Sequence, residues 1–365
     1  MRKIRALSLF LIMSMLLTMA IPASASSVND FAWIAEHLMT VLNNGIQYTV
    51  AEVHDVKSSF NENIYKLIVL SPYGYAIYND NTGGFEEIAP YSEEMPYDLE
   101  TMHDIYYLGP NKYYYASGDY LIHSNSGDSI LRSELDTFQA VQRAKESQES
   151  AMLCEQSEVS TYAVSTPVTL VDSVDYYITE FTYFTSLLGN DFGNNILGTC
   201  TMVATAILLG FYDEYVNDAF VSDIYRSGYG TTEDFHQMMR MFICPDGTSA
   251  GILDAAKGVR KYLAGRGMSI GLVHTVIGDH IAVFEVVEEQ IRQGRPVVTA
   301  MFRSYNGNCS MDHTNVTYGY TIIVDAITRE PMEIYYHVHN GWRGSSQNLM
   351  TYNYAWFADA MYLGE

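Results

Sequence analysis

Three side chains of this 365-residue chain have the types that acyl transfer needs: a thiol at Cys200, an imidazole at His313 and a carboxamide at Asn340. A thiolate is the attacking species, it needs a base to take its proton, and the base needs a group that holds it in place. Cys200 follows Gly198-Thr199, which breaks the preceding chain, and it opens a helix predicted over Cys200–Tyr215. Unpaired amides and the dipole at a helix start favour an anion there, which lowers a thiol pKa. The same amides could hold the oxyanion of an acyl-transfer intermediate. A buried, inert helix cysteine is the competing reading, and position alone leaves the two balanced.

His313 stands directly before a predicted strand, in Asp312-His313-Thr314-Asn315-Val316, and Asn340 closes another, in Val338-His339-Asn340-Gly341-Trp342. Val316–Val324 and Glu333–His339 are apolar enough to pair, and Thr328-Arg329-Glu330-Pro331 is a turn between them. In an antiparallel hairpin the start of one strand lies beside the end of the next. With the turn near residue 329, His313 faces position 345, and a bulge or a slightly different turn closes the gap to Asn340.

Other constellations carry less. Gly247-Thr248-Ser249-Ala250-Gly251 matches a serine-hydrolase elbow, but Pro245-Asp246 makes its approach a turn rather than a strand. Thr248 or Ser249 capping the following helix is the better reading. His337 and His339 share a strand face and, with Asp312 and His313, could ligate a metal. Two satisfied histidines beside the site fit better, so no metal and no cofactor is expected. His274 and His280 flank Asp279 without a partner motif.

The positioning elements fall into two parts. Residues 26–150 form a β-rich unit, opened by a helix over Asp30–Leu42 and marked by the strands Ile64–Leu70, Tyr73–Tyr78, Tyr106–Leu108, Lys112–Tyr115 and Asp119–His123. A polar helix is predicted from Leu131 to about Ala151, then a Ser/Thr/Glu-rich linker over 151–166. Residues 167–365 alternate helix and strand. In Cys200–Tyr215 an apolar stripe of Val203, Ala206, Ile207, Gly210 and Phe211 is expected to face the core. Further helices are predicted over Ala250–Leu263 and Ile281–Gln293, and a strand from Pro296 to Phe302. The fold class expected is α+β.

Charge and targeting narrow the setting. Lys and Arg number 20 against 43 Asp and Glu, a net charge of −23, which argues against nucleic acid or an anionic membrane as partner. Arg2, Lys3 and Arg5 precede an apolar run over Ala6–Ile21 and an Ala23-Ser24-Ala25 cleavage pattern. Residues 1–25 therefore read as a signal peptide, the protein as secreted, and no membrane association is expected after cleavage. Cys154, Cys200, Cys244 and Cys309 make neither a zinc pattern nor a disulfide scaffold.

The ordered set of Cys200 at a helix start, His313 opening a strand and Asn340-Gly341-Trp342 closing the next resembles papain-like cysteine peptidases. Gly198 to Ala206 is similar to their nucleophile helix. His313 with Gly319-Tyr320, and Arg295-Pro296-Val297-Val298 before it, resembles the bacteriocin-processing (double-glycine) branch. The likeness covers roughly residues 170–363. It implies a helix bearing the nucleophile packed on an antiparallel sheet, Cys200 as nucleophile, His313 as base, Asn340 as orienter and Trp342 as its shield. It also implies an oxyanion donor at Asn194, or Asn195 beside it, where the family usually has Gln. Two departures stand out: Thr201 follows the cysteine in place of an aromatic residue, and Thr314-Asn315 follows the histidine in place of an apolar run. By analogy with streptopain, residues 26–150 would be a pro-domain that blocks the cleft, so the chain's partners would be a peptide or protein substrate and its own first unit as inhibitor. A transglutaminase-like or cell-wall-active acyl transferase and an inactive secreted binding protein are the alternatives.

Overall fold

The computed structural model describes residues 31–42, 45–58, 63–80, 84–109, 112–125, 127–133, 171–187, 199–228, 230–245, 250–277, 280–305, 308–329, 331–341, 347–351 and 357–364. The signal peptide expected at 1–25, most of the polar helix expected after Leu131, the linker expected at 151–166 and Cys154 lie outside these residues. Among the described residues no helix is long and apolar enough to cross a membrane.

The first unit opens with α1 (Ala32–Leu42), whose Ile34, Ala35 and Leu38 are buried along with Phe31 just before it, as their helical spacing predicts. Four antiparallel strands follow: β1 (Thr49–Val56), β2 (Tyr65–Ser71), β3 (Tyr75–Asn79) and β4 (Gly84–Ala89). A separate four-stranded meander comes next, with β5 (Ile105–Tyr107), β6 (Tyr113–Ser117), β7 (Tyr120–His123) and β8 (Ser129–Leu131). Tyrosines hold the two layers together, with Tyr75, Tyr97, Tyr107 and Tyr113 buried in one cluster. Their rings meet edge to face or tilted, the arrangement aromatic quadrupoles prefer.

The second unit runs through β9 (Val171–Tyr177), α2 (Thr182–Ser186), α3 (Cys200–Tyr215), the short strands β10 (Arg226–Ser227) and β11 (Gly230–Thr231), α4 (Glu233–Ile243) and α5 (Ile252–Gly265). It continues with β12 (Val273–Val276) and α6 (His280–Arg292), then β13 (Val297–Tyr305), β14 (Asn308–Asp325), β15 (Pro331–His339), β16 (Asn348–Thr351) and β17 (Phe357–Leu363). The protein is thus mixed α+β, built on a large antiparallel sheet ordered β1-β2-β3-β4-β16-β15-β14-β13-β17-β12, with β9 beside the far end of β14.

The expected one-sided stripe on the Cys200 helix is not what forms. Every residue of α3 from Cys200 to Asp213 is buried. The helix packs on β13 and β14 on one side and on α4, α5 and β11 on the other, and a helix that is apolar all round belongs inside. Gly210 is required there by close approach, since a Cβ at that position would lie 2.5 Å from the Tyr183 hydroxyl.

The hairpin also differs in register. β14 starts at Asn308, so His313 lies within a strand instead of preceding it. The turn is centred about one residue earlier than expected, and Val316 pairs with His339, which brings the His313 end to Asn340. On its other side His313 pairs with Met301, while Met311 pairs with Phe302, so Asp312 is the extra residue of a β-bulge. Bulges re-aim the neighbouring side chain, and they cluster next to functional sites.

One sheet crosses both parts of the chain. β4 pairs with β16 through Ile88 and Leu349. Ile323, Tyr335 and Leu349 share a core with Phe31, Ile34, Leu38, Ile68 and Ile88. The buried Glu87 carboxylate accepts hydrogen bonds from Tyr75 (3.1 Å) and Tyr113 (2.6 Å) of the first unit and from Asn348 Nδ2 (2.7 Å) of the second.

Candidate active site

The structure brings Cys200 and His313 together and sets Asn340 beside them. Cys200 is the first residue of α3, after Thr199, whose carbonyl accepts the amides of Met202 and Val203. All three site residues are buried, with exposures of 8% for Cys200, 1% for His313 and 1% for Asn340.

Two opposed effects act on the thiol. Burial pushes its pKa up, but the imidazole of His313, the Lys112 ammonium and the amide of Thr314 outweigh burial and bring it down from 9.0 to about 6. A thiol so placed is largely thiolate at neutral pH. Lys112 is carried by the β5–β6 turn, so the first unit places a positive charge at this site.

The imidazole has one committed nitrogen. His313 Nε2 lies 3.1 Å from the main-chain carbonyl of Asn340, and a carbonyl only accepts, so Nε2 carries the proton and donates. That leaves Nδ1, buried and without an aligned hydrogen bond among the described residues, as the nitrogen available to the thiol. The orienting contact is therefore made by the backbone of Asn340 and not by its carboxamide. The side-chain Oδ1 and Nδ2 of Asn340 are buried without hydrogen-bond partners among the described residues.

Asn194, Asn195, Trp342 and Ser249 lie outside the described residues. His337 and His339 are each engaged in hydrogen bonds of their own. His337 is bonded to Thr321 Oγ1 (2.7 Å) and Tyr177 OH (3.2 Å), and His339 Nδ1 accepts the amide of Gly341 at 3.0 Å. Burial lowers both histidines to about 3, so both are neutral. Among the described residues no group of three or more His, Cys, Asp or Glu side chains could hold a metal ion.

Sequence reasoning missed Lys112, which no local pattern distinguishes, and a buried hydroxyl pair. Thr201 Oγ1 donates to the carbonyl of Ala250 at 2.6 Å and lies 3.0 Å from Thr314 Oγ1. A partial signal was present, since each threonine is a polar neighbour of a candidate site residue in the sequence.

No protein-family model matches the chain, and no curated protein matches it. Among solved structures it is similar to the active wild-type interpain A cysteine protease of Prevotella intermedia, with 14% identity and a TM-score of 0.31 over 52% of this chain and 94% of that one. A likeness at that level carries no correspondence of individual residues.

Proposed function

We propose that the chain is a secreted, papain-like cysteine peptidase that hydrolyses peptide bonds through a Cys200 thioester and is made with residues 26–150 as an inhibitory pro-domain. The observation that carries this reading is the Cys200 thiol, lowered to about 6 at the start of α3 against an imidazole whose outer nitrogen is locked by a carbonyl. Its chemistry follows from that arrangement. The Cys200 sulfur attacks the scissile carbonyl carbon, and the oxygen takes the electron pair as an oxyanion. Amides at the α3 start, with Asn194 or Asn195, are the donors it would meet. As the oxyanion collapses, the C–N bond breaks and Nδ1–H of His313 protonates the departing amine. Water then gives a proton to Nδ1 and attacks the thioester, the C–S bond breaks, and the acid product leaves. Through both half-reactions the Asn340 carbonyl keeps Nε2–H in place. Closing of the substrate onto the site is where the Asn340 carboxamide would gain its partner, since catalytic hydrogen bonds tighten in the substrate complex.

The Lys112 charge, which comes from the first unit and acts on the Cys200 thiol, supports the first unit as a cover. The orphaned Asn340 carboxamide favours a second reading, an inactive binding protein on the same fold. Labelling with an epoxide thiol inhibitor, read by intact mass on the full chain before and after proteolysis of 151–166, separates the two. Labelling at Cys200 that is lost in His313→Ala, with peptide hydrolysis abolished by Cys200→Ala and kept in Ser249→Ala, is the expected result. Labelling of Cys200 no greater than that of Cys244 in every form would leave the binding protein.

A further inference from the structure

The two departures from the peptidase pattern, Thr201 and Thr314, are in contact with each other. Each immediately follows a site residue, so the first turn of α3 meets β14 twice: Cys200 against His313, and Thr201 against Thr314. Both threonines are fully buried. The hydrogen-bond directions are determined. A threonine hydroxyl has one proton, and Thr201 gives its proton to the Ala250 carbonyl at 2.6 Å. The Thr314 hydroxyl must then be the donor across the 3.0 Å contact to Thr201 Oγ1. A chain of bonds thus runs from β14 through α3 to the residue before α5. Among the described residues Thr205 Oγ1, one turn on, bonds within the helix alone, to the Thr201 carbonyl at 2.7 Å.

We propose that Thr201 and Thr314 are positioning residues whose hydroxyls form a buried latch between the nucleophile helix and the histidine strand, setting the separation of the Cys200 sulfur from the His313 ring. An apolar pair would pack the two elements without choosing a register between them. A buried hydroxyl left without its partner is penalised, so the bonded register is selected and slippage of α3 along β14 is disfavoured. The inference rests on the Cys200–His313 reading.

The test is titration of the Cys200 thiolate by its ultraviolet absorbance in the full chain, taken as a difference from Cys200→Ala, so that no reagent needs access to the buried site. Wild type is expected to titrate near 6. Thr201→Ala and Thr314→Ala should each raise the midpoint by about one pH unit, because a looser seating of the sulfur against the imidazole weakens the interaction that favours the thiolate. The double variant should rise no further than the larger single one, because either change opens the latch. Thr201→Ser and Thr314→Ser keep the hydroxyls and should hold the wild-type midpoint. Thr205→Ala, which removes an equally buried hydroxyl of the same helix, should hold it too. An unmoved midpoint in both alanine variants, an equal rise in Thr205→Ala, or loss of the native fold in both alanine variants would overturn the latch. A wild-type midpoint near 9 would remove the thiol–imidazole reading and the latch with it. A wild-type midpoint near 6 that the threonine variants do not move would remove the latch alone.

Discussion

The reactivity of Cys200 should fall far less on acidification than that of an ordinary thiol. With a midpoint of about 6, the thiolate fraction is nearly complete at pH 9 and about one in ten at pH 5. A thiol at the ordinary value of 9.0 is about half ionised at pH 9 and about one in ten thousand at pH 5. Between those pH values the alkylation rate of Cys200 should drop about tenfold, against about five-thousandfold for the ordinary thiol. Slow access to a buried sulfur, and the weaker nucleophilicity of a low-pKa thiolate, multiply the rates at both pH values equally and cancel in the ratio. The perturbation is His313→Ala. It removes the main lowering influence and leaves burial acting upward against Lys112 and the Thr314 amide, so the drop should steepen well beyond tenfold, toward that of the ordinary thiol. The assay is iodoacetamide labelling of the full chain at the two pH values, followed by peptide mass at Cys200, with a free cysteine derivative as reference. A several-thousandfold drop in the wild type, or a drop unchanged by His313→Ala, would refute the reasoning that couples the two side chains.

Three further outcomes are expected. Cutting an engineered protease site within 151–166 should leave the two pieces together in native gel filtration. The β4–β16 pairing, the shared core around Ile88, Leu349 and Tyr335, and the Glu87–Asn348 bond do not involve the linker, so separation without denaturant would contradict them. Asn348→Ala, which strips a donor from the buried Glu87 carboxylate, should cost about 2–3 kcal/mol in urea unfolding at pH 7; a change under 0.5 kcal/mol would mean that the bond is immaterial. Stability should also fall on acidification. His236, His337 and His339 have folded pKa values of about 3 against an ordinary 6.5, so below pH 6.5 the unfolded chain binds protons that the folded chain refuses. At pH 5 that amounts to about 2 kcal/mol for each histidine, offset by about 1 kcal/mol from Asp359, whose buried carboxyl is raised to about 6 and favours the folded state once protonated. Equal urea midpoints at pH 7 and pH 5 would contradict this.

Local pattern and the tertiary structure divide the protein between them on physical grounds. α1, α5, α6 and the β14–β15 hairpin were legible because periodicity and turn residues act over a few neighbours. The thiol, imidazole and carboxamide were legible as types and in their order, and the hairpin argument placed His313 near Asn340 without the fold. What the sequence could not specify is everything set by partners distant along the chain. The all-round burial of α3 depends on helices and strands packing on both of its sides. The Asp312 bulge and the one-residue displacement of the turn decide which atom of Asn340 meets His313, and these are backbone geometries no side chain announces. The division at 151–166 rests on composition, whereas the sheet that joins β4 to β16 is made by backbone hydrogen bonds, which carry no sequence signature of their own. Thr201 and Thr314 show the boundary most clearly. Each was visible as an unexpected polar residue, and only the fold made them a pair, because the energy of a buried hydroxyl is decided by what faces it.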